Sequence, residues 1–256
     1  MAETFLVWKP LFIALMGGVL PSLVWLWFWL RADKNCPEPK GLIAISFFAG
    51  MAIVYFALPL QKLAISSLPI IMTAVDTVTL KFSLITISEE TIKITLWALI
   101  EEFSKYATVL FIAFKSRHFD EPIDAVVYLI TAALGFAAME NTFYILKDLT
   151  ETGGATALLN GNLRFVGATI AHVTSSAFVG IAIAFSFRCP WFIKTPAVTL
   201  GIFLATLLHA YFNLSIMEAY GTKETLLVFA RFWGVILVII VLLQMIKRLQ
   251  KTCTIN

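Results

Sequence analysis

Four apolar stretches of the sequence carry ionisable or amide side chains deep within them. Glu101 and Glu102 are adjacent in the middle of residues 91–114, a stretch long enough to cross a bilayer. Later apolar stretches carry Glu140 with Asn141, then His172, then His209 with Asn213. Such groups are costly inside a membrane, so they usually have a function. Carboxylates next to imidazoles can activate water or bind a metal ion.

The spacing of these residues places a second side chain one helical turn from each of them. Residues four apart share one face of a helix. The pairs with this spacing are Glu101 with Lys105, Phe136 with Glu140, His172 with Ser176, and His209 with Asn213. Two adjacent carboxylates in a low-dielectric site resist being ionised together. We therefore expect Lys105 to neutralise part of the acidic pair. We expect Phe136, which is apolar, to form a wall of the site.

The composition identifies the class of protein that positions these groups. The chain has 256 residues, of which 60% are hydrophobic and 14% charged, and its mean hydropathy is +0.89. These values are typical of polytopic membrane proteins. Seven stretches have the length of a transmembrane helix: residues 11–30, 41–60, 91–114, 122–146, 162–187, 196–217 and 226–246. We predict an all-α, polytopic transmembrane bundle forming one integral-membrane domain over residues 1–256, with a motif-bearing core at 91–217.

Residues 69–88 are ambiguous, because they are apolar but include Asp76 and Lys81. This segment could be an eighth span, a re-entrant segment or an interfacial segment. Seven crossings with the N-terminus outside place the basic loops together on the cytoplasmic side, and an eighth span would break that pattern. The same topology places the C-terminus in the cytoplasm and the protein in the cell (inner or plasma) membrane. Three cysteines fall on the cytoplasmic side and are predicted to be free thiols, namely Cys36, Cys189 and Cys253.

The seven-span topology also predicts the depth of the polar residues. Measured from the helix midpoints, Glu101, Glu140, His172 and His209 all lie within about 8 Å of the midplane and on the same side of it. That side is the outer leaflet. The few cations lie in short loops and the net charge is +3, so nucleic acid is not an expected partner. The lipid bilayer is an expected partner.

Four short motifs resemble those of the PrsW family of intramembrane proteases. Residues 101–105 (EEFSK) look like the EExxK motif of that family, and residues 136–141 (FAAMEN) look like its FxxxEN motif. Residues 172–176 (HVTSS) and 209–213 (HAYFN) are similar to its HxxxS and HxxxN motifs. All four occur in the family's order on successive predicted spans. The family is in turn related to the CAAX prenyl-protease superfamily.

The resemblance implies hydrolysis of a peptide bond in a membrane-anchored protein, such as an anti-sigma-factor-like regulator. Glu101 would take a proton from the attacking water, and His172 would position that water. His209 with Asn213 would donate hydrogen bonds to the oxyanion. The expected catalytic residues are Glu101, Glu102, His172, His209 and Asn213. The expected supporting residues are Lys105, Glu140, Asn141 and Ser176.

Two alternatives stay open from the sequence. The side chains of Glu101, Glu140, His172 and His209 could hold a zinc ion, although the HExxH pattern of many zinc proteases is absent. A metal-free mechanism that uses glutamate alone is the other option. The alternative to an enzyme is a small proton- or ion-coupled transporter or channel, because buried carboxylates and histidines also build ion pathways. No internal repeat of the kind common in transporters is evident.

Overall fold

The computed structural model describes residues 2–31, 37–82, 87–151 and 154–249. Within these ranges the chain forms eight α-helices and no strand, which confirms the predicted all-α class. The helices are α1 (Ala2–Leu30), α2 (Lys40–Ser66), α3 (Leu68–Phe82), α4 (Glu89–Ile112), α5 (Pro122–Glu151), α6 (Gly154–Phe185), α7 (Trp191–Met217) and α8 (Thr222–Leu249). Each of the seven predicted spans corresponds to one of these helices, and α3 is the additional one.

The helices of the described ranges differ in how well they suit a membrane. Six of them, α1, α2, α5, α6, α7 and α8, are long and apolar enough to cross a bilayer. Helix α4 has 24 residues but carries Glu101, Glu102 and Lys105 in its middle. These three residues are 5%, 1% and 0% exposed. Other helices rather than lipid therefore surround the charges, which is how a span tolerates them.

Helix α3 contains most of the ambiguous segment, residues 69–88. It has 15 residues and thus covers about 22 Å, less than the ~30 Å of a hydrocarbon core. It is not among the helices that are long and apolar enough to cross a bilayer, and residues 83–86, which follow it, lie outside the described ranges. The side chains of Asp76 and Lys81 lie outside the described set, as do residues Cys36 and Cys253. Cys189 belongs to the described residues and is a free thiol.

Helix α4 begins with a polar cap. Ser88 Oγ accepts a hydrogen bond from the Thr91 backbone N–H at 3.2 Å, so Ser88 caps the helix. Glu89 and Glu90 follow in the first turn, where negative charge interacts favourably with the helix dipole. The cap therefore fixes where α4 starts.

Helix α5 lies at the centre of the bundle and packs against α6, α1 and α2. Residues 122–138 are all buried, as expected for a helix that is apolar all round. Glycines allow α2 to approach closely, since a Cβ on Gly135 would meet the backbone of Phe47, and one on Gly50 would meet the backbone of Ala132. Small residues at crossing points are the usual means of close helix packing in membranes.

Gly135→Ala is expected to lower the free energy of unfolding by about 1–3 kcal/mol, because backbone atoms of α2 cannot move aside as a side chain can. Gly234→Ala in α8 is the matched control, since no described atom lies within 4 Å of its added Cβ. Thermal unfolding in detergent measures both variants. Equal melting temperatures for the two would mean that the α2–α5 approach does not limit stability.

Candidate active site

Helices α4, α5, α6 and α7 bring the sequence-predicted polar residues into one place inside the bundle. Glu101 and Glu102 come from α4, Glu140 from α5, His172 from α6 and His209 from α7. The two imidazole rings are 4.8 Å apart between centroids, edge to face. The two histidines and both residues of the carboxylate pair are buried. Residues up to 108 positions apart in the sequence thus share one polar centre.

Glu102 is held by hydrogen bonds from three residues. Lys105 Nζ donates to Glu102 Oε1 at 2.7 Å, and His209 Nδ1 donates to the same oxygen at 2.8 Å. Ser176 Oγ donates to Glu102 Oε2 at 2.7 Å. A carboxyl group surrounded only by donors is best satisfied when it is ionised, because it then acts purely as an acceptor. Both oxygens of Glu102 are therefore engaged in fixing α6 and α7 side chains.

Lys105 pairs with one carboxylate of the acidic pair, as expected, although not with its four-residue neighbour Glu101. Its ammonium forms the buried ion pair with Glu102, three residues away, rather than with Glu101. Both spacings place residues on neighbouring positions of a helix surface. His172 and Ser176 settle the choice, because Lys105 Nζ also reaches His172 Nδ1 at 2.8 Å while Ser176 holds Glu102 from the other side.

These contacts determine which nitrogen of each histidine carries hydrogen. An ammonium has donors only, so His172 Nδ1 must accept from Lys105. The hydrogen of a neutral His172 is then on Nε2, which lies 3.1 Å from Glu140 Oε2 and donates to it. In His209 the hydrogen is on Nδ1, because the ionised Glu102, held by Lys105 and Ser176, can only accept at this contact. Its Nε2 lone pair then lies on the side of Glu101 Oε2, 3.6 Å away.

Glu101 is the carboxylate whose second oxygen remains available. Gln61 Nε2 donates to Glu101 Oε1 at 2.9 Å. Glu101 Oε2 is buried and has no hydrogen-bond partner among the described residues. It lies 3.9 Å from His172 Nδ1 and 3.6 Å from His209 Nε2. A buried oxygen in this state calls for an explanation, and a water molecule, a proton or a cation would satisfy it.

A metal ion fits the donor set at this point. One ligand atom each from Glu101, His172 and His209 lies within 4.8 Å of the others. Two nitrogens and one oxygen are a common ligand set for catalytic zinc. Glu140, the fourth predicted ligand, lies outside this group and contacts His172 Nε2 instead. Both nitrogens of His172 are engaged in hydrogen bonds. To bind a metal ion, His172 must therefore give up its hydrogen bond to Lys105 or the one to Glu140.

The other predicted residues lie around this centre. Asn213 is half-buried and lines a cavity beside His209. Asn141 Nδ2 donates to Thr169 Oγ1 at 3.3 Å and so connects α5 to α6. Phe136 forms the expected wall, with its ring centroid 4.7 Å from Lys105 Nζ and 5.5 Å from the His172 ring. This ring also offers the buried ammonium a favourable cation–π contact.

Gln61 was missed by the sequence analysis, because the second predicted span ended at Leu60. Helix α2 continues to Ser66 and thereby places Gln61 on the face that meets α4. A polar side chain within a helix that continues into the apolar residues Leu63 and Ile65 was the available signal. Its partner could not be inferred from spacing, since Gln61 and Glu101 are on different helices.

A cavity of about 450 Å³ opens onto the polar centre from the side of α6, α7 and α8. Its polar lining includes Glu101, Glu140, His172, His209 and Asn213. Its apolar lining includes Trp97, Phe212, Ile216, Met217 and Phe229. Volumes of this size are typical of sites that accept a small molecule or a short peptide segment.

Comparisons with known proteins agree with this arrangement. The family model described as PrsW family intramembrane metalloprotease matches residues 38–246. The chain is 28% identical to a Protease PrsW of Geobacillus kaustophilus over 149 residues, which are 58% of this chain and 59% of that protein. It is 26% identical to a Protease PrsW of Clostridioides difficile over 82% of each chain. It is 27% identical to a Protease PrsW of Oceanobacillus iheyensis over 94% of this chain and 98% of that protein. No solved structure matches the chain.

Proposed function

Because the chain belongs to the PrsW family of intramembrane metalloproteases and is thus a multi-pass membrane peptidase, we propose that it hydrolyses a peptide bond of a membrane-anchored protein. The observation that carries the proposal is Glu101 Oε2, which is buried without a hydrogen-bond partner among the described residues and lies beside two histidines at a cavity wall. The substrate class is a single-pass regulator of the anti-sigma-factor type. The protein lies in the cell membrane with its N-terminus outside, its C-terminus in the cytoplasm, and its site in the outer leaflet.

Glu101 acts as the general base. Its Oε2 takes a proton from the attacking water, while Gln61 keeps the other oxygen in place. The hydroxide adds to the substrate carbonyl, and the protonated Glu101 then gives its proton to the leaving amine. Water and a peptide are thereby converted into an acid and an amine with no net change in Glu101. Glu102 is too fully engaged by its donors to serve as this base.

Oxyanion stabilisation falls to Asn213 rather than to His209 in this mechanism. A neutral His209 with its hydrogen on Nδ1 has none on Nε2 to donate. Asn213 keeps an amide N–H₂, lies one helical turn further along α7 and lines the same cavity. Donors placed where negative charge develops in the transition state are a large part of catalysis in acyl transfer.

Lys105, His172 and Glu140 form a chain of hydrogen bonds across the site. Lys105 donates to His172 Nδ1, and His172 Nε2 donates to Glu140 Oε2. Both contacts hold the His172 ring at the position where it faces Glu101 and the cavity. Asn141 supports this chain indirectly, because its bond to Thr169 ties α5 to α6.

As the alternative to the metal-free base role of Glu101, the side chains of Glu101, His172 and His209 would hold a zinc ion in this site. When bound, zinc lowers the pKa of a coordinated water and polarises a carbonyl group. Glu102 contributes by directing the His209 ring so that its Nε2 lone pair is presented to the site, as carboxylates behind metal-binding histidines commonly do.

Metal content tests the zinc assignment without relying on activity. We expect about one zinc per chain in the purified wild type, and almost none in His209→Ala, which lacks a ligand. His118→Ala is the matched control, because His118 lies exposed in the loop between α4 and α5. Elemental analysis measures all three proteins before and after chelation. Full peptidase activity in chelated, metal-free wild type would eliminate zinc and leave the glutamate mechanism.

Reconstitution tests the proposed function itself. The protein is placed in vesicles with single-pass membrane proteins as candidate substrates, and mass spectrometry identifies any products. We expect cleavage of a peptide bond near the outer face of the substrate's transmembrane helix. Proton or ion flux in the same vesicles without any cleavage would instead support a transporter and overturn the proposal.

A further inference from the structure

A second cavity lies on the opposite side of the carboxylates, between α2, α4 and α5. We name it the α2–α5 groove, and its volume is about 470 Å³. Its apolar lining includes Val54, Ala57, Leu58, Ile65, Phe136 and Phe143. Its polar lining includes Gln61, Glu101 and Glu140, together with two lysines, Lys62 and Lys147. The groove therefore combines an apolar wall with a positively charged part.

The groove has the length of a short peptide. Its lining runs from Val54 to Ile65 on α2 and from Phe136 to Lys147 on α5. Each range advances about 17 Å along its helix, and five residues of extended chain cover the same distance. Lys147 lies about 10 Å further along α5 than Glu140, which lines the groove with Glu101. The Lys147 charge is therefore displaced from the carboxylates along the groove, whereas Lys62 directly follows Gln61, which bonds to Glu101.

The groove and the first cavity meet at the catalytic carboxylates. Trp97, Glu101, Glu140 and Tyr144 line both of them. A substrate chain that runs from the groove into the first cavity passes Glu101. Its scissile peptide bond therefore lies at Glu101. The described lining of the first cavity includes no lysine or arginine, whereas the groove has two lysines. The two sides of the cleavage point therefore favour different side chains.

We propose that the α2–α5 groove binds the substrate residues on one side of the scissile bond, with an acidic substrate side chain close to Lys62 and Lys147. This inference rests on the proposed peptidase function and adds to it the substrate's position and charge. Lys62 is exposed, and the Lys147 side chain is 63% exposed with Glu151 Oε2 at 4.0 Å, a surface pair weak enough for an acidic substrate side chain to replace. Charge complementarity of this kind determines specificity more than total affinity.

Photocrosslinking tests occupancy of the groove without requiring chemistry. p-Benzoyl-phenylalanine replaces Leu58, which lines the groove and is 40% exposed. The control position is Leu63 on the same helix, which is 62% exposed and is not among the groove-lining residues. The probe is a single-pass helix with two aspartates at its outer end, and the protein carries Glu101→Gln so that the probe stays intact. We expect crosslinks from position 58 and few from position 63; equal crosslinking would overturn the proposal.

Charge reversal tests the role of the lysines. We expect the double variant Lys62→Glu/Lys147→Glu to cleave the aspartate probe with about tenfold lower kcat/KM, since each exposed charge pair contributes little. A probe with lysines in place of the aspartates should be cleaved better by this variant than by the wild type. Lys223→Glu, at the start of α8 and outside the groove, is the control and should cleave both probes as the wild type does.

The outcomes separate this inference from the proposed function. Cleavage by the wild type, with no change in probe preference in the double variant, would overturn the groove assignment and leave the peptidase intact. An equal loss on both probes would mean that the lysines bind lipid phosphate instead, and it would overturn the assignment as well. Absence of cleavage by the wild type on every probe would contradict the proposed function, whatever the crosslinks show.

Discussion

Glu101→Gln is expected to abolish peptide cleavage, with a loss of about 10²–10⁴-fold or more, while the protein still folds. The substitution keeps the shape of the side chain, and its amide oxygen can still accept the hydrogen bond from Gln61. The amide cannot take a proton from water, and it is a poor metal ligand. Cleavage rate in reconstituted vesicles and melting temperature in detergent are the two measurements.

Glu90→Gln is the matched control for this experiment. Glu90 is on the same helix, but its side chain is half exposed and pairs at the surface with Lys93 at 2.9 Å. We expect this variant to cleave at the wild-type rate. If Glu101→Gln turned over substrate normally, the base assignment would be wrong, and Glu102 or Glu140 would have to be considered in its place.

Lys105→Met is expected to destabilise the protein by about 3–5 kcal/mol, because it leaves the buried Glu102 carboxylate without its cation. Glu102→Met should have a similar cost, since it leaves a buried ammonium unpaired. The double variant should recover a large part of the lost stability, because neither charge then remains in the interior. It should still be inactive, since His209 loses the contact that orients its ring.

The surface pair on the same helix provides the control for this cycle. Glu90 and Lys93 have the same three-residue spacing, but their side chains are 50% and 29% exposed. Glu90→Gln and Lys93→Met should each change stability by less than about 1 kcal/mol. Thermal and denaturant unfolding of all variants gives the coupling energies. A coupling in the buried pair no larger than in the surface pair would refute the idea that Lys105 is needed to keep Glu102 charged.

The helical class and most helix positions could be predicted from the sequence. In lipid, every backbone N–H and C=O must be satisfied within the segment, so long apolar stretches have few options other than a helix. The end of α2 could not be placed in this way. Gln61 and Lys62 follow the predicted span, yet the helix runs to Ser66, and Gln61 bonds to Glu101 of α4.

Apart from Gln61, the residues of the candidate site could be named from the sequence, but the contacts between them could not. The four motifs identify side chains that share a helix face, because 3.6 residues make one turn. They give no information about distances between helices. The Gln61–Glu101 bond and the Lys105–His172 bond join residues 40 and 67 positions apart, and only the packed bundle brings them together.

The sequence by itself determined that this is a helical membrane protein whose carboxylates and histidines occur on successive helices. Hydrophobic length and helical periodicity are local properties, so they can be read from the chain. Only the tertiary structure decided which of two adjacent glutamates is available for chemistry. Glu101 and Glu102 point about 100° apart on α4. Packing turned Glu102 toward Lys105, Ser176 and His209, and it left one oxygen of Glu101 facing the cavity.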